Sequence, residues 1–183
     1  MTGQDELLRR VTQLLEQAGI AYMISGSVAS SFHGHPRATN DTDIVIDPSS
    51  EQLTVFVDSL GTDFYVSREA AIQALDHRTM FNVIDLSSGN KADLIIRKDR
   101  PFSEQEFARR LRANFGGADV FVLSPEDSIL SKLEWSQGRQ SDIQLRDAQN
   151  ILLVQKETLD FDYLRKWAKE LGIEDSLNRL MNC

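Results

Sequence analysis

Apolar and polar positions repeat at two different periods along this chain, and the changes of period mark out its elements. Leu7, Leu8, Val11, Leu14, Leu15 and Ala18 fall on one helical stripe over 5–18, which Gly19 ends. Ala21–Ile24 reads as a short buried strand running into Ser25-Gly26-Ser27, followed by a small-residue helix over 28–33 and a loop over 35–40. Asp41–Asp47 alternates acids with apolar residues, a strand pattern. Pro48 stops it, and Ser49 or Ser50 caps a helix through Leu60. A short strand near 64–66 precedes a helix over 68–76. Two strands, 81–86 and 92–96, flank the turn residues Ser87-Ser88-Gly89-Asn90. Ser103 and Glu106 have capping-box spacing, which predicts a helix from there to about 113. After the apolar run 120–123, Ser124-Pro125-Glu126-Asp127 is a strong helix start: a cap, a proline at the first position and acids in the first turn. Four helices follow, over 125–136, 142–155, 160–171 and 174–181. Strands and helices alternate first and helices alone come last. The expected class is α+β, with a mixed, twisted sheet flanked by helices and a C-terminal helical unit.

Composition narrows the class of protein. At 183 residues the chain has about one domain's length, enough to bury a core without staples. Its one cysteine, Cys183, is the last residue, so an internal disulfide and a multi-cysteine zinc site are both excluded. No apolar run is long enough for a membrane span, and the first residues lack the pattern of a signal peptide, so a cytoplasmic location is expected. The formal charge is −8, with 14 acids and 9 bases in residues 1–100 and 14 and 11 in the rest. An excess so evenly spread argues against coating a long DNA duplex by counterion release.

The chemistry concentrates in three places. Asp41 and Asp43 are two apart on a strand, hence on one side of it, where like charges repel unless a cation lies between them. Hard divalent ions such as Mg²⁺ take oxygen ligands of this kind. Gly26 and Ser27 sit where a strand turns into a helix, and such a turn offers backbone N–H groups to a phosphate. Asp93 stands beside the apolar Leu94-Ile95-Ile96, where an ionised carboxylate needs a partner. It can join the other two as a third ligand and proton acceptor, or simply pair with Lys91 or Arg97.

Taken in order, Gly26-Ser27, Asp41-Thr42-Asp43 and Asp93 resemble the motifs of the DNA polymerase beta-like nucleotidyltransferases. The string from Gly26-Ser27-Val28-Ala29 through Gly34, Arg37 and Thr39 to Asp41 and Asp43 is similar to minimal bacterial members. Pro125-Glu126-Asp127 with Lys132-Leu133, and Asp147-Ala148-Gln149-Asn150, resemble motifs of the abortive-infection branch, the toxins of type IV toxin–antitoxin systems. The resemblance spans residues 26–150. It implies a catalytic core over 1–123 and a helical extension over 124–183 packed on it. It implies transfer of a nucleoside monophosphate from a nucleoside triphosphate to an acceptor hydroxyl on an RNA end such as tRNA, a protein or a small molecule. It also raises toxicity and an antitoxin partner as expectations. Two Mg²⁺ ions, or Mn²⁺, would be held by Asp41, Asp43 and Asp93. Gly26 and Ser27 would hold phosphates, Lys132 would neutralise triphosphate charge, and Asp147 and Asn150 would position Lys132 or the acceptor. The alternatives are a non-catalytic binding or regulatory module of the same fold and a small-molecule (antibiotic) nucleotidyltransferase.

Other polar and aromatic residues have two readings each. Arg37 and Thr39 lie in the loop beside the acids, and Arg37 either forks onto phosphate or braces the loop. His33 and His35 lack neighbouring metal ligands and suit helix-end packing or a loop hydrogen bond. Arg109, Arg110 and Arg112 form a basic cluster that either guides RNA or faces solvent. Trp135 and Trp167 suit packing between helices, with base stacking as the alternative for Trp135.

Overall fold

The computed structural model describes residues 3–37, 39, 41–115, 117–138 and 142–182. Among these, α1 (Gly3–Gln17) buries Leu7, Leu8, Val11 and Leu15, the predicted stripe. Each such side chain contributes about 1.5–3 kcal/mol when fully buried. The chain then runs through β1 (Ala21–Ile24), α2 (Gly26–His33), β2 (Asp41–Asp47), α3 (Ser50–Ser59), β3 (Phe64–Val66), α4 (Arg68–His77), β4 (Met80–Asp85) and β5 (Lys91–Ile96). Next come α5 (Pro101–Ala108), β6 (Leu111–Phe115), β7 (Ala118–Val122) and α6 (Pro125–Gly138). The last helices are α7 (Asp142–Gln155), α8 (Phe161–Glu170) and α9 (Glu174–Met181). Ser49 caps α3 in a reciprocal capping box with Gln52. Ser124 Oγ caps α6, accepting from the Asp127 N–H at 3.1 Å.

One mixed seven-stranded sheet has the order β3-β4-β5-β2-β1-β7-β6. The pairs β2–β5 and β1–β7 are parallel and the others antiparallel. This is the expected α+β class. A first apolar cluster, from Leu7 to Leu123, packs α1, α3 and α4 on the sheet. A second gathers α6, α7, α8 and α9 and takes Phe102 from α5. No helix among the described residues is long and apolar enough to cross a membrane.

The region after β5 departs from expectation. The helix begins at Pro101, with Arg100 as its cap residue, and Ser103 lies inside it. Ser103 Oγ instead accepts from Arg100 Nε at 3.1 Å. The helix ends at Ala108, and 111–115 form an edge strand paired with β7, where the sequence pattern predicts helix. Leu111 and Arg112 are exposed there, so the strand has no buried alternation to announce it.

Candidate active site

The site is set by strand register. Alternation along β2 puts Asp41 and Asp43 on one sheet face. The parallel β2–β5 pairing places Lys91 beside Asp41 and Asp93 beside Asp43, and β4 adds Asn82 beside Asp93. Thr42 turns to the other face, where it is buried and accepts from Gln4 Nε2 of α1 at 2.9 Å. Asp93 is also buried. Its Oδ1 accepts from the Asn82 amide, and Lys91 Nζ donates to Oδ2 at 3.2 Å and Oδ1 at 3.3 Å. The same ammonium lies 3.5 Å from Asp41 Oδ1. Its hydrogen bond to Asp93 raises the Lys91 pKa above the ordinary lysine value.

Asp43 lies deeper. A Cβ added to Gly26 would fall 1.8 Å from Asp43 Oδ2 and 2.7 Å from its Cγ, so only glycine fits here. Gly26 also has φ of +59°, in the left-handed region. The Ser25 N–H donates to the Asp43 carbonyl at 2.9 Å, which ties the turn to the strand. Burial pushes the Asp43 carboxyl above the ordinary carboxylate range, the charge of Asp93 adds to this, and Lys132 works against it. This is the condition of a carboxylate that wants a cation.

The donor chemistry fits a hard divalent ion: carboxylate oxygens only, two of them on facing register positions and one crowded by its neighbour's charge. Asp41, Asp43 and Asp93 are the residues that would hold it. Among the described residues no cluster of three or more His, Cys, Asp or Glu is itself converged on a metal position. Lys91 holds Asp41 and Asp93 instead.

A second network flanks the turn. Arg37 Nη2 donates to Ser27 Oγ at 2.6 Å, and Arg37 forks onto Asp147 through Nε and Nη2, both at 3.1 Å. Lys132 Nζ donates to Asp147 Oδ2 at 3.1 Å, and both side chains are buried. Burial acts to raise the Asp147 carboxyl, but Arg37 and Lys132 outweigh it and hold it below the usual range. Burial draws the Lys132 ammonium down, opposed by Asp147 and by the field of Asp43. The fork is possible because α7 approaches α2 closely at Gly34, where a Cβ would meet the Ile151 nitrogen at 3.1 Å.

Gly26, Ser27, Arg37, Asp41, Asp43, Asp93, Lys132 and Asp147 are thus brought around one turn. Thr39 braces the loop: its Oγ1 accepts from the Asp41 N–H at 3.3 Å. Asn150 enters none of these hydrogen bonds among the described residues. Asn82 was not foreseen, although an Asn in the apolar β4 pattern is a visible anomaly. His33 is buried and donates from Nε2 to the Leu123 carbonyl at 2.6 Å, and burial lowers its pKa, so it is a structural residue. Arg109 pairs with Glu126 and Asp127 and lies 3.8 Å over the Tyr163 ring. Arg110 stacks on Phe107 and Phe121, and Arg112 on Phe121, so this cluster is neither a free basic patch nor a plain solvated face. Trp167 packs in the second cluster, while Trp135 is 70% exposed and outside any core. Cys183 lies outside the described residues.

No protein-family model matches the chain, and no curated protein does. Solved structures do match. An antigenic nucleotidyltransferase-like protein from Paracoccidioides brasiliensis aligns with TM-score 0.62 and 17% identity, over 97% of this chain and 91% of that one. ANT(2'')-Ia in complex with adenylyl-2''-tobramycin aligns with TM-score 0.61 and 15% identity, over 93% of this chain and 98% of that one. The lincosamide antibiotic adenylyltransferase LnuA, with lincomycin bound, aligns with TM-score 0.53 and 14% identity, over 82% and 96%. At these identities the likeness is one of fold: the chain has the α+β nucleotidyltransferase fold.

Proposed function

We propose that this protein is a divalent-metal-dependent nucleotidyltransferase that moves a nucleoside monophosphate from a nucleoside triphosphate to the hydroxyl of a small molecule. The observation that carries the reading is the facing pair Asp43 and Asp93 on adjacent parallel strands, with Asp43 pressed against the Gly26 turn. Gly26 lets the backbone approach the phosphates, and the first N–H groups of α2 point at them, since no side chain caps that helix. Arg37, held by Ser27 and Asp147, stands at the same turn as a donor for phosphate oxygens. Lys132, oriented by Asp147, adds positive charge whose field reaches Asp43. Asp93, oriented by Asn82, is placed to accept the acceptor hydroxyl's proton. Mg²⁺ or Mn²⁺, when bound at Asp43 and Asp93 with Asp41, would supply charge neutralisation to the attacking and leaving oxygens.

Two observations favour a small acceptor over RNA or protein. ANT(2'')-Ia and LnuA, which share the fold over most of their length, are described with an adenylylated aminoglycoside and with a lincosamide. The arginines that would guide RNA are engaged by carboxylates and aromatic rings. Toxicity and an antitoxin have no support of this kind. The test is transfer of label from each α-labelled triphosphate to a panel of aminoglycosides, lincosamides and RNA, with and without Mg²⁺. Mg²⁺-dependent labelling of a small molecule, lost in Asp43→Asn, is expected. Labelling of RNA alone would sink the acceptor assignment.

The second reading is a non-catalytic binding module of the same fold. The Lys91 ammonium seated between Asp41 and Asp93 favours it. Triphosphate binding with no turnover on any acceptor would support that reading.

A further inference from the structure

Lys91 opens β5 directly beside Asp41 in the parallel register, one alternation before Asp93. Its ammonium reaches both oxygens of Asp93, at 3.2 and 3.3 Å, and Asp41 at 3.5 Å. It therefore sits where the two neighbouring strands concentrate negative charge. Its side chain is 42% exposed, so a short rotation of its stem returns the head to water. Asp93 is buried and has its other donor, Asn82, on the far strand.

We propose that Lys91 is a tethered cation that seats in the carboxylate cleft of the metal-free protein and swings out when a divalent ion enters. The proposal rests on the nucleotidyl-transfer reading, because it assumes that these carboxylates take a metal. An ammonium is a compact point charge on a flexible stem and holds the carboxylates together without supplying a coordination shell. A divalent ion brings twice the charge and can bind the same oxygens directly. The two cations repel each other and compete for the Asp93 oxygens, so loading is an exchange. The apparent metal affinity is the intrinsic affinity reduced by the fraction of molecules in which Lys91 has already withdrawn. Lys91 thus sets the metal concentration at which the site fills, and it keeps Asp41 and Asp93 from splaying apart before the ion arrives.

The test is calorimetric titration of Mn²⁺ into the full metal-free chain as wild type, Lys91→Met and Asp43→Asn, with a crystal structure of the wild type soaked in Mn²⁺. Lys91→Met is expected to bind Mn²⁺ about tenfold more tightly than wild type, from loss of the competing occupant. It is also expected to melt at a lower temperature than wild type before metal is added. In the soaked wild-type crystal, Lys91 Nζ is expected to have left hydrogen-bond reach of Asp93. Equal affinity in wild type and Lys91→Met, with binding lost in Asp43→Asn, would overturn the exchange and leave the transfer reading standing. So would bound Mn²⁺ with Lys91 still bridging Asp41 and Asp93. Absence of Mn²⁺ binding in both wild type and Lys91→Met would overturn both.

Discussion

At the scale of single residues, Asp43 is held in place against its own electrostatics. It is pressed onto Gly26, faces Asp93 across the strand pair, and its carboxyl is pushed up first by burial. Removing its charge should relieve the metal-free protein. Asp43→Asn is expected to raise the metal-free melting temperature in scanning calorimetry while transfer falls by on the order of 10² or more. A fall in both would make Asp43 a structural residue. Gly26→Ala should do the reverse, losing stability and activity together. The left-handed backbone alone costs about 1–2 kcal/mol, and the new methyl must also displace the Asp43 carboxylate. Asn82 acts through Asp93, so Asn82→Ala should lower Mn²⁺ affinity about 10–100-fold with little change in melting temperature. The acids and the turn were legible in the sequence because strand alternation and the order of motifs are linear properties. Asn82 was not legible as part of the cleft, and Lys91 was legible only as an alternative partner of Asp93, not as a bridge to Asp41. Their places come from the register of β4 on β5 and β5 on β2, and pairing partners are not encoded locally.

At the scale of elements, α5 meets the C-terminal helices through polar groups as well as through Phe102. Glu106 Oε2 accepts from Ser131 Oγ at 3.2 Å, and Arg100 forks onto Glu134 at 2.5 and 2.7 Å. Asp127, fully buried, accepts from Ser124 Oγ and from the Tyr163 hydroxyl, each at 2.6 Å. Burial, helped by the charge of Asp127, pushes Glu106 from 4.5 up to about 7. In that window the folded chain holds a proton that the unfolded chain has released. Stability is therefore full below the unfolded value and is lost as pH rises through about 7. Glu106→Gln should flatten this slope and melt a few degrees higher than wild type at pH 8, as pH-dependent thermal melts would read. An unchanged slope would mean that Glu106 ionises freely between the helices. The same interface explains the misread region. Ser103 and Glu106 have the spacing of a capping box, but one accepts from Arg100 and the other from α6. The edge strand β6 exists because β7 pairs with it, against a sequence with little alternation of its own.

At the scale of the whole molecule, the sheet and the C-terminal helices keep separate apolar clusters, with Phe102 crossing from α5 into the second. We propose that residues 1–123 and 124–183 form two units whose coupling at the cleft is ionic. Arg37 follows α2, Lys132 is on α6 and Asp147 on α7, so one carboxylate ties the Gly26–Ser27 turn to both helices. In a chain of net charge −8 this tie sets two cations, Arg37 and Lys132, on one buried carboxylate, with the field of Asp43 also acting on Lys132. Both Lys132 and Asp147 are buried, so neither can lose its partner to water without cost. Asp147→Ala strands the buried Lys132 ammonium and should destabilise the protein by about 3–5 kcal/mol. Replacing Lys132 and Asp147 together by Met removes two charges at once and should cost less than Asp147→Ala alone, since no charge of the buried pair is then stranded. Chemical denaturation of the two variants measures this difference. A double variant that loses as much stability as Asp147→Ala, or more, would show that no stranded charge is relieved. With the pair coupled, the double variant keeps its fold but loses the Lys132 cation. Its affinity for the triphosphate should then fall more than its stability does, because the charge is lost while the packing of α6 on α7 is retained.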